Sequence, residues 1–177
     1  FQARSAPAGP SMMPLVIMGV AGCGKSTVAA ALARELGLPL VEGDEFHPES
    51  NQQKMRAGIA LSDADREGWL DTLGAQLAAH PAGAVLTCSA LKRTYRERLR
   101  RHAPSVRFIH LVIDRAAALQ RVGQRGASHL FPTSLVDSQF ATLESPRDES
   151  GVLELDATAA LDVIRSQAVA WIRKEIP

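Results

Sequence analysis

Short apolar runs alternate with helix-period patterns along most of this chain. Leu15, Val16, Ile17 and Met18 form a continuous apolar run of strand length, the pattern of a strand buried on both faces. Past a glycine-rich stretch, Val28, Leu32 and Leu36 recur at four-residue spacing, with Ala29 and Ala33 beside them. This is the stripe of an amphipathic helix, and Gly37 stands where its C-terminal stop belongs. Residues 38–41 predict a second strand. Pro48 suits the first position of a helix, with His47 near its cap. Ser62 and Asp65 have the S-x-x-D spacing of a capping box ahead of Trp69, Leu70, Leu73 and Leu77, a core-facing stripe. Residues 84–88 and 106–113 predict strands three and four, residues 115–124 and 135–143 two more helices, and residues 152–155 a fifth strand. Leu161, Ile164, Ala168 and Ile172 mark a closing amphipathic helix.

Strands separated by helices imply a parallel sheet covered on both faces. Ligands of such sheets bind beyond the carboxyl ends of the strands. That rule selects the glycine-rich stretch after Met18, Asp44 to His47, Ser89 to Arg93, and the turns at Asp114 and Asp156.

The first of these segments carries the most specific chemistry. Gly19-Val20-Ala21-Gly22-Cys23-Gly24-Lys25-Ser26 fits G-x-x-x-x-G-K-[ST], a phosphate-binding loop. Its glycines let the backbone curl so that successive N–H groups point at phosphate oxygens. Lys25 supplies a mobile charge for the β- and γ-phosphates, and Ser26 offers a hydroxyl to Mg²⁺. Thr27 continues the segment into the predicted helix, whose N-terminus adds partial positive charge.

Bulk properties narrow the classes. The 177 residues suffice for one domain with a real core, and the 46% apolar and 22% charged fractions are ordinary for a soluble protein. A net charge of +1 gives no sign of general nucleic-acid or membrane affinity. No apolar run approaches membrane-spanning length. Cys23 and Cys88 have neither metal-type nor C-x-x-C spacing, so reduced thiols in a cytoplasmic protein are the simple expectation. Residues 1–11 lack any helical period and read as a disordered tail or a cloning remnant.

Several longer segments are more specific still. Residues 42–56 read EGDEFHPESNQQKMR, residues 61–70 LSDADREGWL, residues 88–99 CSALKRTYRERL and residues 134–144 SLVDSQFATLE. Together with GVAGCGKST they closely resemble the gluconokinase family, small kinases that phosphorylate D-gluconate at its 6-hydroxyl. The resemblance runs from about Met13 to Trp171. It implies an α/β fold: a P-loop kinase three-layer sandwich, with a five-stranded parallel sheet flanked by helices and a mobile lid at about residues 121–134. Residues 12–177 would form that single domain. It also implies ATP and Mg²⁺ as cofactors, a homodimer, and no nucleic-acid or membrane partner. One departure stands in the lid. Arg125-Gly126-Ala127-Ser128-His129-Leu130-Phe131 replaces the family's usual R-x-G-H-F.

Asp44 follows one helix and one return strand, which brings its carboxylate back to the mouth of the phosphate loop. There it can hold the attacking hydroxyl and accept its proton, or bind a Mg²⁺ water. His47, Asn51 and Lys54, spaced by four and three, would share a helix face; with the resemblance, His47 and Lys54 become sugar contacts. Arg66 offers a planar fork for the gluconate carboxylate, although Ser62, Asp63 and Asp65 around it also suit a plain helix start. Lys92, beyond strand three, is a further anion contact. Arg121 and Arg125 lie four apart on the helix leading into the lid, where they would neutralise the transferring phosphate. His129 and Gln139 would line the closed site. Trp69 reads as core.

Two other small-molecule readings stay open: a shikimate-type kinase of the same fold, and an inactive nucleotide-sensing relative. A guanine-nucleotide switch fares worse. Asp71-Thr72-Leu73-Gly74 matches D-x-x-G by letter, but it lies inside the predicted amphipathic helix, and no N-K-x-D segment exists.

Overall fold

The computed structural model describes residues 14–124 and 134–175. Five strands form one parallel sheet: β1 (Leu15–Met18), β2 (Leu40–Glu42), β3 (Val85–Thr87), β4 (Arg107–Val112) and β5 (Val152–Asp156). Their spatial order is β2-β3-β1-β4-β5. Val16 lies beside Leu86 on one side and Phe108 on the other. Successive strand residues face opposite sides of a sheet, yet all four residues of β1 are buried. Both faces are therefore covered, as the unbroken apolar run predicts.

The helices are α1 (Lys25–Leu36), α2 (Glu49–Arg56), α3 (Asp63–Ala78), α4 (Arg93–His102), α5 (Arg115–Gln124), α6 (Ser134–Thr142) and α7 (Leu161–Glu175). Helix α1 packs on α7 and on β3, α3 packs on α4, and α5 packs on α6. Val28, Ala29, Leu32 and Ala33 are the buried stripe of α1. Gly37 ends the helix in the left-handed conformation (φ 66°). The Leu38 N–H returns to the Ala33 carbonyl at 2.9 Å. Leu38 is thus part of the helix stop, and the second strand starts at Leu40, two residues later than its apolar run suggests, and ends at Glu42, one residue later.

The capping box forms with both halves present: the Ser62 Oγ accepts from the Asp65 N–H, and the Asp65 carboxylate accepts from the Ser62 N–H. Pro48 is the N-cap of α2 and not its first helical residue. Helix α4 has no counterpart among the elements predicted from the apolar pattern. Its buried face is Tyr95, Arg96 and Leu99, and an arginine at a core position hides the helical period. Strand order places β1 between β3 and β4, so the chain's crossovers diverge at the carboxyl end of β1. A ligand crevice belongs there.

Candidate active site

A cavity of about 740 Å³ opens at that end of the sheet. One wall is the loop that turns β1 into α1. Gly22 and Gly24 adopt φ of 84° and 88°, a region that side chains resist. This turns Ala21, Gly22, Gly24, Lys25, Ser26 and Thr27 toward the cavity. Val20 and Cys23 instead bury their side chains in the core beneath the loop, so they and Gly19 contribute backbone only. The Lys25 Nζ donates to the carbonyls of Gly19 and Val20 at 3.0 and 3.2 Å. The Gln139 Oε1, on α6, accepts from the Ala21 N–H at 2.7 Å. Gln139 therefore sits directly on the phosphate loop, within the same cavity.

The opposite wall rises from the end of β2. Gly43–Phe46 forms one 3-10 turn, and it can do so only because residue 43 is glycine: a Cβ there would lie 2.1 Å from the Thr87 carbonyl. The turn presents Asp44, whose side chain is 88% exposed and lines the cavity. His47 lies just behind, with its Nε2 4.0 Å from Asp44 Oδ1. Its ring stacks on Trp69 at 4.0 Å, and the Trp69 Nε1–H donates to the Gly43 carbonyl at 2.8 Å. Trp69 is buried, as expected of a core residue, yet its edge also reaches the cavity. Burial pushes the His47 pKa below its ordinary value, against the pull of Asp44.

Arg66 completes this wall. It donates to the Tyr95 hydroxyl at 2.8 Å, and Tyr95 in turn donates to Asp63. Hydrogen bonds from Tyr95 and Lys92 hold the Asp63 carboxyl below its usual range.

Two predicted substrate contacts are not brought to the cavity. Lys54 grips both Asp65 oxygens at 2.8 and 2.9 Å, and Lys92 grips Asp63 at 3.0 and 3.2 Å. Each lysine faces the acidic start of α3, where a carboxylate holds it. Nor do His47, Asn51 and Lys54 form a solvent-facing stripe, because His47 and Asn51 are buried. Arg121 is not in the lining either; it donates to the carbonyls of Gly22, Cys23 and Ala157. It thereby ties the phosphate loop to the turn after β5. Arg125, His129 and most of the expected lid lie outside the described residues.

The structure adds Glu42, which the strand-end rule misses while the second strand is taken to stop at Val41. Its Oε2 accepts from Ser26 Oγ at 3.0 Å and from Thr87 Oγ1 at 2.7 Å. With β2 extending to Glu42, the rule reaches it. Ser89 and an apolar flank including Met55, Ile59 and Leu61 also line the cavity.

Among the described residues no group of three or more His, Cys, Asp and Glu side chains could cage a metal. The Ser26 hydroxyl beside the Glu42 carboxylate does fit Mg²⁺, a hard cation that takes few protein oxygens and completes its shell with water and substrate phosphate. Cys88 takes no part, since burial pushes its thiol up to about 12. Asp71 lies away from the cavity: Arg98 and His102 hold it between α3 and α4, which leaves it no role at a nucleotide.

A parallel five-stranded sheet, a glycine loop leading into a helix N-terminus, and an acid facing that loop define a P-loop kinase fold. Residues 15–146 match the family model described as an AAA domain. The gluconokinase of Gluconobacter oxydans (strain 621H) is 44% identical over 165 residues, covering 91% of this chain and 92% of that protein. The thermoresistant gluconokinase of Escherichia coli K12 is 38% identical, over 90% and 93% of the two chains. The crystal structure of a gluconokinase from Sinorhizobium meliloti 1021 superposes with a TM-score of 0.86 at 38% identity, over 95% of each chain. The chain belongs to the gluconokinase family.

Proposed function

We propose that this protein transfers the γ-phosphoryl group of ATP to the 6-hydroxyl of D-gluconate, giving 6-phospho-D-gluconate and ADP. The observation that carries the reading is Asp44, an exposed carboxylate across one cavity from Lys25 and the loop N–H groups. Identity to gluconokinases over nearly the whole chain supports the choice of acceptor.

The residues divide the work as follows. Lys25 leaves the carbonyls of Gly19 and Val20 and follows the phosphate charge instead. Asp44 accepts the proton of the attacking hydroxyl as its oxygen bonds to the γ-phosphorus and the bond to the ADP oxygen breaks. Arg66, held by Tyr95, takes the gluconate carboxylate on its fork. Ser26 and Glu42 would hold Mg²⁺, which when bound neutralises phosphate charge. Arg121 keeps the loop and the Ala157 turn in register for the nucleotide. By the family resemblance, Arg125 and His129 would also act on the bound substrates.

An ADP-release assay with Mg-ATP and a panel of D-gluconate, shikimate, nucleoside monophosphates and no acceptor tests the reading. Turnover confined to D-gluconate is expected. Turnover with another acceptor alone, or none with any despite ATP binding, overturns it.

A further inference from the structure

We infer that His47 offers the cavity only a hydrogen-bond donor, with its proton fixed on Nε2 by Asn51, and that Asn51 is therefore a positioning residue for the acceptor side of the site. The Asp65 carbonyl oxygen can only accept, so the nearest Asn51 amide atom, 2.8 Å away, must be the NH₂ group. That fixes the orientation of the amide. The same NH₂ group lies 3.2 Å from His47 Nδ1. An amide NH₂ offers only hydrogens, so Nδ1 must present its lone pair. A neutral imidazole with a bare Nδ1 carries its hydrogen on Nε2.

The arrangement is rigid. Asn51 is 2% exposed and His47 6%. Stacking on Trp69 at an interplanar angle of 15° holds the plane of the ring, and within that plane a ring turned over would set a carbon-bound hydrogen against the Asn51 NH₂ group in place of Nδ1. Nε2 is the nitrogen on the Asp44 side, 4.0 Å from Oδ1. At 4.0 Å the two make no direct hydrogen bond, which leaves the Nε2 hydrogen for an acceptor oxygen drawn between them. A second proton on Nδ1 would face the amide hydrogens head-on, so the same contact opposes the imidazolium. His47 has no free lone pair toward the cavity and cannot take the substrate proton. That task falls to Asp44, and His47 donates to the acceptor beside it.

The test is a long-range ¹H–¹⁵N correlation spectrum of the ¹⁵N-histidine-labelled full chain at pH 8. The His47 signals are assigned by their loss in His47→Gln. The unsubstituted protein is expected to show His47 protonated on Nε2 alone; a proton on Nδ1 overturns the inference, whether or not Asn51→Asp folds. In Asn51→Asp, a carboxylate beside Nδ1 should draw a proton onto that nitrogen. Turnover with gluconate should then fall at least about tenfold, the worth of one charge-assisted hydrogen bond, with the KM for ATP within about twofold. Full turnover in an Asn51→Asp protein whose spectrum shows the changed proton also overturns it. The kinetic arm rests on the gluconate reading, whereas the spectrum of the unsubstituted protein needs no substrate, so the two fail separately.

Discussion

Glu42 and Asp44 are neighbouring carboxylates with different surroundings, and this separates their roles. Asp44 projects into the cavity, with the buried His47 ring behind it. Glu42 lies at the strand end and accepts from two hydroxyls, those of Ser26 and Thr87. Asp44→Asn keeps the shape of the side chain and removes the carboxylate proposed above to accept the proton. Turnover should fall by about 10²-fold or more while ATP binding, measured by calorimetry, stays near its original strength. Glu42→Gln should act on the metal instead. The expected result is a higher Mg²⁺ concentration for half-maximal rate, with a smaller loss at saturating Mg²⁺, read from a magnesium titration at fixed ATP. An unchanged titration would confine Glu42 to holding Ser26 and Thr87 in place.

Elements here are placed by contacts that their own residues do not announce. The 3-10 turn after β2 sits against β3 because Gly43 has no Cβ, and its N–H donates to Thr87 Oγ1 at 3.1 Å. Gly43→Ala would press a methyl into the Thr87 carbonyl and lift the turn that carries Asp44. We expect a loss of about 3 kcal/mol in urea unfolding, the upper end for overpacking, together with reduced turnover. Helix α4 makes the same point from the other side. Arg96 occupies a position that a hydrophobic residue would normally fill, and nothing in its letter predicts this. The S-x-x-D box, by contrast, was legible because both partners of its hydrogen bonds lie within four residues of each other.

Across the whole molecule, Arg96 and Glu149 tie distant parts of the chain together. The Arg96 side chain is fully buried, and Glu149 is 2.6 Å from it. The same guanidinium donates to the carbonyls of Ala90, Leu91 and Glu144. The segment after β3, where Ala90 takes a positive φ of 46°, is thereby fastened to the segment between α6 and β5. Arg96→Met leaves Glu149 buried, with Arg100 as its remaining ion-pair partner. We expect a loss of about 3–5 kcal/mol in urea unfolding. The double variant Arg96→Met/Glu149→Leu should recover part of it, because the buried, under-compensated carboxylate goes too.

Local signals were enough for the sheet class, the phosphate loop, most helices and the approach of Asp44 to that loop. Apolar period, glycine spacing and strand-end position are properties of contiguous residues, and a parallel sheet follows from how strands and helices alternate. The assignment of individual charges was decided only by the tertiary structure. Lys54 and Lys92 have the same chemistry as a substrate contact, and it is the acids at the start of α3 that hold them away from the cavity. Gln139 reaches the phosphate loop across a sequence distance of 118 residues. Glu42 meets Ser26 because β1 and β2 end at the same edge of the sheet. A side chain's partner is set by what the fold brings within hydrogen-bond reach, and for long-range pairs no neighbouring residue carries that information.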